Sequence, residues 1–195
     1  LLFPWDMDFT FSGGSRATGN GDLNKMLSDP GNKHAYYGHL HDIISTTFNT
    51  GYMTYWAQHY SCFLPTESLT GYLNNISSGA ASVTNSINSA VSNVPYQITT
   101  SNGQSTSNSF LAVQGDGWVN VREIRAVGSS APLDLVWVDD NTWQAQLPVL
   151  PGPNTITLEA YDLQGQLVGT DTVNFTGTGT IVPASAANLV ISEIM

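Results

Sequence analysis

Apolar residues follow two different periods along this 195-residue chain. Before Pro95 they recur every three or four positions, which is helical spacing. After Pro95 they alternate with polar residues or cluster in short runs of β-forming side chains. The pattern therefore predicts an α+β chain, in which a helical first part is followed by an all-β second part.

Four helices are predicted before Pro95. Asp22 is placed to cap the first, Asn49 follows the end of the second, and Thr66 is placed to cap the fourth. The fourth helix carries one apolar seam, formed by Leu69, Leu73, Ile76, Ala80, Val83, Ile87 and Val91. Its other face is nearly all Ser, Asn and Thr, which are mediocre helix formers, so we expect packing to stabilise it.

Seven short strands are predicted after Pro95, with Gly, Asn, Asp and Pro in the turns between them. Their ranges are 96–100, 110–113, 118–127, 133–138, 142–147, 154–162 and 166–175. Short strands at this spacing are typical of a β-sandwich.

The net charge of the chain restricts the classes of molecule that it is expected to bind. The chain has 15 acidic and 5 basic residues, giving a net charge of −10, and no Lys or Arg follows Arg125. A nucleic-acid backbone would be repelled along the last third of the chain, so no nucleic-acid partner is expected. No apolar run reaches the ~20 residues of a membrane helix, so no membrane insertion is expected in this segment. Mg²⁺ or Ca²⁺ would be attracted.

The single cysteine, Cys62, excludes an internal disulfide. It lies in the apolar run 60–64, which favours a buried structural thiol. The alternative is a nucleophile for which His59, three positions away, would act as the base.

Three histidines, His34, His39 and His41, are close enough in sequence to suggest a transition-metal site. On a helix, however, His39 and His41 point about 160° apart. Surface or packing roles are therefore favoured.

Other charged residues have similar alternatives. The run 139–141, Asp-Asp-Asn, could bind Ca²⁺, but a hairpin turn is favoured. Arg16 lies in a Gly-rich loop, where it either meets a phosphate or is solvated. Arg122 and Arg125 flank Glu123 in a strand-rich stretch and are interpreted as structural.

Two carboxylates near the start of the chain are the candidate metal ligands. Asp6 and Asp8 stand two positions apart, after the apolar run 1–5, which has the pattern of a strand end. Carboxylates placed there can hold a hard cation, and in phosphoryl transfer they position Mg²⁺ on nucleotide phosphates. From these residues alone, a turn cap or a solvated loop remains the alternative.

The run Phe3-Pro4-Trp5-Asp6-Met7-Asp8-Phe9-Thr10-Phe11 resembles the metal-site segment of the CotH kinase family, the spore-coat protein H type. Leu23-Asn24-Lys25-Met26-Leu27 and Tyr36-Tyr37-Gly38-His39-Leu40-His41-Asp42-Ile43 extend the resemblance, which covers roughly residues 1–94, as the C-terminal part of that domain.

The resemblance implies an atypical kinase-like fold that transfers phosphate from ATP to a protein substrate. Asp6 would be the metal-binding residue and Asp8 a second ligand or a structural partner, with Mg²⁺ and ATP as cofactors of the intact domain. The family's nucleotide lobe and catalytic residues are expected upstream of Leu1, so this chain alone is expected to be inactive and to bind neither cofactor tightly.

Residues 96–178 resemble bacterial immunoglobulin-like modules of large surface proteins, which implies that Trp143 fills the core of the sandwich. Residues 179–187 are then a linker, and 188–195 resemble the first strand of a lamin-tail domain. Together the three pieces imply a secreted or cell-surface bacterial protein. Two hypotheses follow. One is a CotH-like protein kinase. The other is a non-catalytic adhesive protein with a degenerate kinase-like domain and an immunoglobulin-like spacer.

Overall fold

The computed structural model describes residues 21–63, 66 and 68–180, and this part of the chain contains four helices followed by eight strands. The helices are Gly21–Met26 (α1), Pro30–Thr46 (α2), Thr50–Ser61 (α3) and Thr70–Ala90 (α4). The strands are Gln97–Ile98 (β1), Gln104–Thr106 (β2), Phe110–Asp116 (β3), Glu123–Ala126 (β4), Val136–Trp137 (β5), Thr142–Pro148 (β6), Gly152–Tyr161 (β7) and Leu167–Gly177 (β8). The prediction of helices followed by an all-β part is confirmed.

Short polar residues set the helix starts. The Asp29 carboxylate accepts a hydrogen bond from the Asn32 N–H at 2.9 Å and caps α2. Asn49 caps α3 in the same way, by accepting from the N–H of Tyr52 at 2.9 Å. The predicted Thr66 cap is wrong, because α4 begins at Thr70 without a side-chain cap.

The eight strands form two four-stranded sheets, ordered β1-β3-β6-β5 and β2-β8-β7-β4. Neighbouring strands are antiparallel except for β2 and β8, which are parallel. Alternate residues of both sheets point into one core, because side chains alternate across a strand. Its buried members are Leu111, Val113, Val121, Ile124, Trp143, Ala145, Leu147, Leu158, Ala160, Val173 and Phe175. Two sheets packed on one core form a sandwich, and Trp143, 0% exposed, fills its centre as expected.

The helices have a smaller core of their own. Val83, Ile87 and Val91, from the predicted seam of α4, pack with Tyr37 of α2. Val119, which follows β3 in the chain, is the fifth buried member and is only 2% exposed. The helical core is therefore completed by a residue from the β part.

The packing of Val119 against the helices corrects one predicted strand. The range 118–127 was expected to be β throughout, but only Glu123–Ala126 pairs in a sheet. Trp118 and Val119 instead pack against the helices. Strand β2 was missed because its residues are polar and mostly exposed.

Candidate functional site

Helix α2 lies against one end of the sandwich, and this contact is the candidate site. Gly38 allows the close approach. A Cβ at this position would lie 2.7 Å from the carbonyl oxygen of Val119. One turn earlier on the same face, His34 is 5% exposed. A small residue and a buried ring thus share the face of α2 that meets the sandwich.

The His34 ring is fixed on one face and at one edge. It stacks on Trp137 of β5, with ring centroids 3.4 Å apart and planes 17° apart. Its Nε2 lies 2.8 Å from the carbonyl oxygen of Val121, which can only accept, so Nε2 carries the proton and donates it. Nδ1 is then an unprotonated acceptor, and it has no hydrogen-bond partner among the described residues.

Burial keeps this histidine neutral. Desolvation of the ring lowers the pKa of His34 to about 4, and the positive charge of Arg122 acts in the same direction. The backbone of Val121 and of Asp140 opposes the shift by favouring a charged ring. Near neutral pH the ring is therefore an uncharged packing element with one hydrogen-bond donor.

Polar contacts on either side of His34 strengthen the attachment. The Lys33 ammonium lies 2.6 Å from the Asp140 carboxylate, and the Gln164 side-chain amide donates to the Asp42 carboxylate at 2.9 Å. His41 meets Trp118 edge to face, and desolvation lowers the pKa of His41 as well. Helix α2 is thus fastened to the sandwich along most of its length.

A cleft of about 400 Å³ opens beside this contact. His34, Gly38, Arg122, Leu133 and Trp137 are among the residues that line it. The unpartnered Nδ1 of His34 is itself closed off from solvent. Within the described ranges, no three His, Cys, Asp or Glu side chains come together to hold a metal ion. The arrangement fits a structural attachment better than a reaction centre.

The sequence-predicted site residues fall in several places. Asp6, Asp8 and Arg16 lie outside the described residues. His34 and His41 meet different tryptophans. His39 is exposed.

Two of the remaining predictions have clear outcomes. The buried-thiol prediction is wrong, because Cys62 is exposed, with its Sγ donating to the His59 carbonyl at 2.9 Å. The hairpin turn at 139–141 is confirmed: the Asp139 carboxylate accepts from the N–H groups of Asn141 and Thr142 at 2.9 and 2.7 Å. These bonds lower the pKa of Asp139.

The two arginines differ. Arg125 pairs with Glu123 and lies over the Tyr161 ring, 5.1 Å from its centroid, as a structural role requires. Arg122 is exposed beside the cleft.

Sequence reasoning missed the pairing of His34 with Trp137, because the two residues belong to different predicted units. Gly38 was the available signal. A glycine inside a helix allows another backbone to approach closely, as that of Val119 does here.

Comparisons with known proteins add little to this geometry. No family model and no curated protein matches the chain. Among solved structures, the fibronectin(III)-like modules of Clostridium thermocellum CbhA give a TM-score of 0.33 at 11% identity, over 44% of this chain and 99% of that one. The endo-beta-1,4-mannanase from Thermotoga petrophila gives 0.35 at 11% identity, over 56% of this chain and 24% of that one. At such scores neither likeness assigns a fold or a function. Among the described helices, none has the length and apolarity needed to cross a membrane.

Proposed function

We propose that this chain is a coupling unit of a larger secreted bacterial protein, in which the sandwich acts as a spacer that holds the helical domain in a fixed orientation. The observation that supports it is the burial of Val119, a residue of the β part, in the core of the helices. A spacer on a flexible linker would leave both surfaces in water. Here a buried side chain, a stacked histidine and an ion pair would all have to be exposed before the two parts could reorient.

The identity of the larger protein is a second part of the proposal and rests on different residues. The resemblance of residues 3–11 supports a CotH-like atypical protein kinase, with an immunoglobulin-like sandwich behind it. In that protein Mg²⁺ would be held by Asp6 and Asp8, ATP would be the phosphate donor and another protein the acceptor. The non-catalytic adhesive protein remains the alternative, and the coupling role is the same in both.

The coupling role is tested with Gly38→Ala. The added methyl would meet a backbone oxygen at 2.7 Å, so α2 must move away from residue 119. We expect calorimetry to show two separate thermal transitions instead of one, and small-angle scattering to show a larger radius of gyration. Gly71→Ala is the matched control, because a Cβ there meets nothing within 4 Å and Ala is the better helix former. If Gly38→Ala keeps a single transition and an unchanged radius, the proposed coupling is wrong.

The kinase assignment is tested separately on the full gene product by calorimetric titration with Mg²⁺-ATP. We expect binding that Asp6→Ala weakens and that Asp22→Ala, at an exposed surface position beside Lys25, leaves unchanged. Absence of nucleotide binding in the unaltered protein would reject the enzyme and favour the adhesive alternative.

A further inference from the structure

The cleft of about 400 Å³ beside helix α2 has walls from both parts of the chain. Helix α2 supplies one wall, which includes His34 and Ala35, and the β part supplies the other, which includes Leu133 and Trp137. Small-molecule pockets have volumes of roughly 300–1,000 Å³ and are frequent where two units meet. The cleft therefore has the size and the place of a site for a small ligand.

Polar side chains are few in this cleft. Among the lining residues, His34, His39, Arg122 and Glu123 have polar side chains, and the remainder are apolar, aromatic or glycine. The His34 ring already donates its proton to a backbone carbonyl. The Glu123 carboxylate is paired with Arg125. A ligand would therefore meet mainly apolar walls and the positive charge of Arg122.

Arg122 differs from the other basic residues that the structure describes. Each of the other three forms an ion pair with a carboxylate: Lys25 with Asp22, Lys33 with Asp140 and Arg125 with Glu123. The exposed Arg122 guanidinium has no such partner within the described ranges. Besides desolvation, its positive charge lowers the pKa of His34, so this charge reaches the inner wall of the cleft. A guanidinium in this state can bind a carboxylate through two parallel hydrogen bonds.

The charges around Arg122 favour a monovalent anion. A guanidinium binds either a carboxylate or a phosphate group. Here Glu123 is the next residue and the chain has a net charge of −10, so a phosphate with two negative charges is repelled more strongly than a single carboxylate. The walls set the second requirement, because a ligand gains affinity by burying an apolar body against them.

We propose that the cleft binds a small organic anion, namely a single carboxylate on an apolar or aromatic body, with the carboxylate on Arg122 and the body between α2 and the β part. This site goes beyond the coupling role, because it requires only the cleft as the structure shows it. Since the ligand touches both parts of the chain, its binding also stabilises their contact.

The test uses the full 195-residue chain and 3-phenylpropionate, a carboxylate on an aromatic body, as the probe. In a ¹H–¹⁵N NMR titration we expect saturable shifts of the amides of residues 34–39 and 119–123. For a ligand of this size the dissociation constant should be on the order of 1 mM. The uncharged 3-phenylpropionamide should bind about tenfold more weakly. Acetate, which lacks the apolar body, should cause no saturable shift.

Two substitutions check that the probe binds in the cleft. Arg122→Gln removes the positive charge and should weaken binding about tenfold. Its matched control is Lys25→Gln, which removes an exposed charge that does not line the cleft and should leave the affinity unchanged. Ala35→Leu adds bulk at an exposed position in the cleft wall and should also weaken binding, whereas Ala81→Leu, exposed on α4, should not.

Three results would overturn the proposal. The first is the absence of saturable shifts at the cleft in the unaltered chain. The second is an unchanged affinity in Arg122→Gln, which would leave the carboxylate without its assigned partner. The third is tighter binding of phenyl phosphate than of 3-phenylpropionate, which would make the cleft a phosphate site. The Gly38→Ala experiment involves no ligand, so failure of this proposal is distinguishable from failure of the coupling role.

Discussion

The sandwich and the helices differ in how much of their apolar surface they bury for themselves. The sandwich core has eleven buried side chains, all from the β part. The helical core has five, and one of them, Val119, is supplied by the β part. The helical part, with its connecting loops, nevertheless accounts for nearly half of the described residues. One unit is thus closed on its own core, and the other depends on its neighbours.

The surface of α4 shows the same dependence. Hydroxyl groups along its polar face donate to carbonyls four residues earlier, as Thr84 does to Ala80 at 2.9 Å and Ser89 to Asn85 at 2.8 Å. Such bonds satisfy the hydroxyl but add little to helix stability. The stability of α4 must therefore come mainly from the packing of its buried seam.

The largest expected effect on stability comes from substitutions in the two cores, and it should differ between them. Trp143 is 0% exposed, and its indole Nε1 donates to the Asp116 carbonyl at 3.1 Å. Trp143→Ala should lower the free energy of unfolding by about 3–5 kcal/mol, and Ile87→Ala in α4 by about 2–5 kcal/mol. Hydrogen exchange should show fast amides throughout the chain in the first variant. In the second, exchange should accelerate in α4 but remain slow in β6 and β7.

Surface positions provide the matched controls for this pair. Val136 is 58% exposed in the sandwich, and Asn88 is exposed on α4, so alanine at either should change the free energy of unfolding by no more than about 0.5 kcal/mol. Equal loss of protection in both units for Ile87→Ala would mean that the sandwich also depends on the helices, and the contrast would not hold.

Local sequence patterns predicted most of the secondary structure. The α4 seam was readable because its residues recur at helical spacing, and β6 because Trp143, Ala145 and Leu147 alternate inward. The two parts of the chain were also separable, because the period changes at Pro95. These features depend on neighbours in sequence, which is why sequence alone predicted them.

Contacts between distant residues were not predictable in this way. Trp118 and Val119 look like strand residues, yet the helices bury them, and periodicity does not identify a partner. Cys62 lies in an apolar run but is exposed, because that side of α3 has no cover among the described residues. The first error lies where the β part contacts the helices. The second lies on a helix surface that no described residue covers.

A smaller effect, on pH dependence, tests the contact between the two units. An unfolded His34 takes up a proton near pH 6.5, whereas the folded one does so only near its pKa of about 4. The unfolded state therefore binds more protons between these values, and the free energy of unfolding should fall by about 3 kcal/mol as the pH drops through this window. Below the window this residue causes no further loss.

The matched variants for this pH effect are His34→Gln and His39→Gln, compared by urea unfolding at a series of pH values from neutral to 4. Glutamine at position 34 keeps an amide donor for the Val121 carbonyl but cannot be protonated, so most of the pH dependence should disappear. His39 is exposed, and its replacement should leave the dependence as it is. His41, whose pKa burial also lowers, should supply the smaller remainder. The same slope in both variants would show that His34 is not the group that couples protonation to the contact of α2 with the sandwich.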